Sequence, residues 1–143
     1  MKYFSIKELC HSDTAIELGI DNTPNHEIKE HLIQLVEELL DPLRDAWGSG
    51  IKVSSGYRCA KLNRALKGSS HTSAHLIGFA SDLIPVNGDI TEFKRFVVKW
   101  LKDTNAPFDQ CLCETNGRGS QWVHIALYNQ SMKQRKQILN LNV

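Results

Sequence analysis

The chain has 143 residues, with 17 Lys+Arg against 16 Asp+Glu and a formal net charge of +1. That length fits one domain able to bury its own core, and 41% hydrophobic with 23% charged residues excludes a disordered or collagen-like chain. So small a net charge gives no electrostatic basis for binding nucleic acid or an anionic membrane. The opening Met1-Lys2-Tyr3-Phe4-Ser5-Ile6-Lys7-Glu8 lacks the apolar run of a signal peptide. No apolar stretch approaches the ~20 residues that span a bilayer, so synthesis in the cytoplasm is expected. Cys10, Cys59, Cys111 and Cys113 contain no CxxC pair and predict reduced, partly buried thiols; Cys111 and Cys113 share one face of a strand.

In chain order, Ile28, Leu32, Leu35, Val36, Leu39, Leu40, Leu43 and Trp47 step by threes and fours and predict a long amphipathic helix. Thr23-Pro24 is the expected cap and first-turn proline, and Pro42 is expected to kink or end the helix near Asp41. Gly48-Ser49-Gly50 breaks the chain before a short strand over 51–53. A brief helix over 59–66 leads into a polar loop over 68–73, and a strand over 78–84 ends at Pro85. Phe93, Phe96, Val97, Trp100 and Leu101 mark a second helix over 91–102. Strands over 109–114 and 121–128 flank a turn with Asn116-Gly117-Arg118-Gly119. Without repeats or a linker, residues 1–143 read as a single small α+β domain, an antiparallel sheet with helices on one face.

On the last strand, period two places Val123, Ile125 and Leu127 towards the helices and turns His124 the other way, with Trp122, Ala126 and Tyr128. A lone strand histidine is usually structural. His75 and Asp82, however, lie seven residues apart around Gly78, which lets the chain turn from a loop into a strand. Two imidazoles and a carboxylate form a catalytic zinc set with a fourth position open. A capping His75 and a salt-bridged Asp82 fit the spacing equally well.

Ser55-Gly56-Tyr57-Arg58, Leu62-Asn63, Ser73-x-His75-x-x-Gly78-x-Ala80-x-Asp82, Phe108-Asp109-Gln110, Glu114 and Trp122-Val123-His124 follow one another in an order that resembles the zinc D-Ala-D-Ala carboxypeptidase and L-Ala-D-Glu endopeptidase family. Members cut bacterial peptidoglycan stem peptides. The likeness covers nearly the whole chain, and Phe4 to Leu9, Asp41-Pro42-Leu43-Arg44 and Arg135-Lys136 resemble short, phage-associated members. It implies a hedgehog/D-Ala-D-Ala-peptidase-like fold and a zinc ion held by His75, Asp82 and His124. By the same resemblance, Arg58 reaches a substrate carboxylate or the scissile carbonyl, which suits a planar guanidinium, and Ser73 binds substrate or orders the ligand loop.

Better-known members carry a glutamate three residues before the last zinc histidine; here that position is Gln121, which takes no proton at neutral pH. Glu114, on the preceding strand, is the expected general base, with antiparallel pairing placing it opposite Trp122 to His124. His71 is the reserve. His11, His26 and His31 show no spacing that joins them to the set. The resemblance thus implies a zinc metallopeptidase acting as a monomer on peptidoglycan stem peptides after release or host lysis, as an endolysin-like L-Ala-D-Glu endopeptidase or a D-Ala-D-Ala carboxypeptidase. The alternative is a catalytically inactive zinc-containing binding module, as in hedgehog-type signalling domains.

Overall fold

The computed structural model describes residues 1–66 and 72–139. In chain order these form α1 (Ile6–Cys10), α2 (Asp13–Leu18), α3 (His26–Leu35), a π turn (Val36–Leu40), α4 (Asp41–Trp47), β1 (Ile51–Ser55) and α5 (Ala60–Ala65). A 3-10 turn (Ala74–Ile77), β2 (Ala80–Pro85), α6 (Ile90–Thr104), β3 (Gln110–Thr115), β4 (Gln121–Ala126) and β5 (Gln137–Leu139) complete the order. Most of the polar loop expected over 68–73 lies outside the described residues.

The long apolar stripe folds as a helix interrupted once. α3 is capped by Asn25, whose side chain accepts the Ile28 N–H at 2.9 Å, rather than by Thr23, whose own N–H goes to Asp21. Proline has no N–H to complete a regular α-helical ladder. The chain meets that defect at Pro42 with a π turn, in which the Asp41 N–H donates to the Val36 carbonyl five residues back. Pro42 then sits in the first turn of α4, where a missing donor costs nothing. The phase shift keeps Leu32, Leu35, Val36, Leu39, Leu40 and Leu43 fully buried. Asp41 itself is buried and accepts the backbone N–H groups of Lys2 and Tyr3 at 2.6 and 3.0 Å, which ties the N-terminus to this helix.

The sheet has the order β1-β2-β4-β3-β5. β1, β2, β4 and β3 pair antiparallel as expected, whereas β5, which the sequence reading did not find, adds in parallel to β3. Three residues are too few to show alternation. α6 packs on β2 and β4, α1 on β1, and α4 on α6. Leu83, Cys111, Val123 and Ile125 are buried on that helix-facing side, so the chain is an α+β protein with helices on one face. The other face carries Asp82, His124, Leu112, Glu114 and Trp122. No helix among the described residues is long and apolar enough to cross a membrane.

All four cysteines are free thiols, with Cys111 and Cys113 buried. Burial pushes the Cys10 thiol up to about 11 and Cys111 higher still, so neither is poised to ionise.

Candidate metal centre

The register of β2 with β4 sets Asp82 directly opposite His124, and the Asp82 Oδ1 lies 2.9 Å from the His124 Nδ1. His75 arrives from the 3-10 turn. Ser73 caps that turn, its Oγ accepting the His75 N–H at 3.2 Å. Gly78 ends it at φ 79°, a left-handed conformation that redirects the chain into β2. The His75 Nε2 thereby comes within 3.2 Å of the Asp82 Oδ1. One ligand atom from each of His75, Asp82 and His124 lies within 4.8 Å of the others, and all three residues are buried.

The protonation chemistry of this trio fits a cation. The Gly56 carbonyl, 2.7 Å from the His75 Nδ1, can only accept, so a ring proton sits on Nδ1 and Nε2 is the atom turned towards Asp82. Burial opposes ionisation of Asp82, but His75 and His124 outweigh it and hold the carboxyl well below the usual range. Burial also lowers His75, which disfavours a second ring proton. Two imidazole nitrogens and one carboxylate are a donor set that suits Zn2+ and leaves a coordination position open.

The trio forms the floor of a cleft of about 610 Å³ that is also lined by Arg58, Ser73, Glu114, Trp122 and Arg135. Arg58 faces Asp82, with Nη2 3.3 Å from Oδ2, and it also donates to the Ser55 Oγ and the Asn63 Oδ1. Glu114 pairs with Trp122 as expected, on the cleft side and diagonal to His124, a separation of about 7–8 Å that a glutamate side chain can bridge. Burial raises the Glu114 carboxyl, while the nearby His124 pulls it down. Gln121 alternates to the opposite face, where it accepts from the Lys94 ammonium of α6.

His71 lies outside the described residues. His31 stacks on Phe79 at 4.1 Å and pairs with the Ile77 carbonyl, while His11 and His26 pair with Asp13 and Glu30; none of them joins the trio.

Two residues that sequence reasoning assigned no part hold this arrangement in place. Buried Asn22 donates to the Cys10 and Tyr57 carbonyls and accepts the Cys59 N–H at 2.8 Å, clamping the backbone on both sides of Arg58. Gly56 passes so close to α1 that a Cβ there would lie 2.1 Å from the Leu9 carbonyl oxygen. Its own carbonyl is the one that orients His75. Gly56→Ala is therefore expected to lower stability by about 2–3 kcal/mol and the melting temperature by roughly 10 °C, with weaker zinc binding. Thermal unfolding and a zinc titration check this; an unchanged melting temperature would refute the close approach.

The family model for Peptidase M15 matches residues 2–126. No curated protein matches the chain.

Proposed function

The chain belongs to the peptidase M15 family, and we propose that it is a zinc-dependent hydrolase of peptidoglycan stem peptides, an endolysin-like L-Ala-D-Glu endopeptidase before a D-Ala-D-Ala carboxypeptidase. The reading rests on one observation above all: potential ligand atoms of His75, Asp82 and His124 come together in a cleft that also holds a carboxylate and a guanidinium. Residues 1–143 would act as one catalytic domain, on the cell wall after release or host lysis.

In this proposal His75, Asp82 and His124 hold the zinc, which when bound polarises a scissile carbonyl and favours ionisation of water. The Gly56 carbonyl keeps His75 in the ligating tautomer. Arg58 binds the Asp82 Oδ2, which leaves Oδ1 turned to the two histidines. From the cleft wall, the same guanidinium steadies a substrate carboxylate or the oxygen that gains charge as the amide is attacked. Glu114 accepts the proton of the attacking water and returns it to the departing amine. Ser73 orders the turn that carries His75 and offers a hydroxyl at the cleft rim.

The alternative, a zinc-containing binding module, drew its support from Gln121. That side chain is engaged with Lys94 on the other face, while Glu114 lies on the cleft side, so the hydrolase reading is preferred. Mass spectrometry of purified muropeptides after incubation with zinc-loaded protein tests it. A split after L-Ala identifies the endopeptidase, release of terminal D-Ala the carboxypeptidase, and intact peptides contradict both.

A further inference from the structure

The strand register gives the cleft a direction. Along β4, Trp122 beside Glu114 marks one end, His124 the middle, and Ala126 opposite Gln110 the other end. The outer positions lie two residues from His124, about 7 Å at the usual strand rise. At the Ala126 end stands Arg135, on the segment that returns from β4 to β5. Its Nε and Nη2 donate to the two oxygens of Asp109 at 2.9 and 2.7 Å, and its backbone N–H also goes to the Asp109 Oδ1. The Asp109 side chain is 1% exposed and the Arg135 side chain 42%. One edge of the guanidinium is thus locked to a buried carboxylate while the rest stays open to solvent. Its Nη1 makes no hydrogen bond among the described residues, and Arg135 lines the same cleft as the trio.

We propose that Arg135 is a specificity-determining residue, which binds a carboxylate of the peptide on the side of His124 opposite Glu114. The assignment rests on reading the cleft as a stem-peptide site. A guanidinium already fixed by two hydrogen bonds loses little rotamer freedom when a ligand arrives. The charge of the cleft points the same way. Arg58 and Arg135 stand against Asp82, Asp109 and Glu114, so the lining is short of one positive charge until a divalent cation reverses the sign. An anionic group then meets a favourable field, and Arg135 supplies donors for it away from the metal ligands. The position, about two residues of extended chain from the centre, suits a carboxylate next to the cleaved residue or at the peptide terminus.

The test compares three forms of the tetrapeptide L-Ala-γ-D-Glu-L-Lys-D-Ala: the free acid, the D-Glu α-amide and the C-terminal amide. Calorimetry on zinc-loaded protein in the Glu114→Gln background reads binding with turnover suppressed. One of the two amides is expected to bind about ten- to a hundredfold more weakly than the free acid, and that one identifies the carboxylate. Adding Arg135→Gln should remove the difference and leave binding of that amide unchanged, a ratio that general damage to the fold does not mimic. Should that variant not fold, Arg135→Lys retains a tie to Asp109 and is expected to narrow the ratio severalfold. Equal binding of all three peptides, no binding of any, or a preference that survives both Arg135 variants overturns the assignment. Arg135-dependent preference without hydrolysis by the unmutated protein refutes the peptidase and keeps this site; hydrolysis without the preference does the reverse.

Discussion

Asp82→Ala is expected to strip the protein of zinc. Dialysed wild type should carry about one ion per chain, and the variant below about a tenth of that, since loss of even an outer-shell partner costs ten- to a hundredfold in affinity and Asp82 is the proposed central ligand. The Asp82 Oδ1 is the atom that both histidines approach, at 3.2 and 2.9 Å. Its removal leaves two neutral imidazoles without the charge that offsets a divalent cation. It also takes the Asp82 carboxylate from the Arg58 guanidinium, whose side chain is 12% exposed, and breaking a buried ion pair from one side destabilises by about 3 kcal/mol. Metal analysis alongside thermal unfolding separates the two effects, and His124→Ala is expected to give the same zinc loss while keeping the Arg58–Asp82 ion pair. Full occupancy in either variant would remove the trio as the metal site.

Glu114→Gln should have the opposite signature, with zinc retained and turnover lost by a factor of about 10²–10⁴, the usual contribution of a general base. The replacement preserves shape and removes only the ability to take a proton. Glu114 is half-buried and sits on the cleft face of β3, outside the trio, so neither fold nor metal content should change. Zinc per chain and kcat measured on the same preparation decide the point. If kcat stays at the wild-type value, Glu114 is not the base.

Much of this framework can be read from side-chain periodicity. The apolar stripe of α6 and the alternation along β4 were sufficient to turn Val123 and Ile125 inward and His124 outward, and the structure agrees. Some of the short elements were not legible: α1 and α2 are five and six residues long, and β5 is three. Capping at Asn25 instead of Thr23 shows how two adjacent cap residues compete when the preceding chain offers one of them another partner, here Asp21. The metal trio was open to two readings from its spacing, because the contact of Asp82 with His124 spans 42 positions and depends on strand order; the family resemblance, not periodicity, singled it out. Asn22 had no assigned part because its side chain bonds only to backbone groups of distant residues, and Gly56, though within the Ser55-Gly56-Tyr57-Arg58 run, had none because its part lies in its own backbone. Only the meeting of Gly56 with Leu9, and of Asn22 with residues 10, 57 and 59, gives them their part.

The central claim is that hydrolysis depends on zinc held by this trio. Titrating metal-free protein with zinc while following cleavage of a stem peptide tests it most directly. Activity should rise from the background level in proportion to added zinc, reach a plateau at about one ion per chain, and disappear on chelation. Cleavage at the full rate by metal-free protein, or a zinc-loaded protein that leaves the peptide intact, would contradict the account.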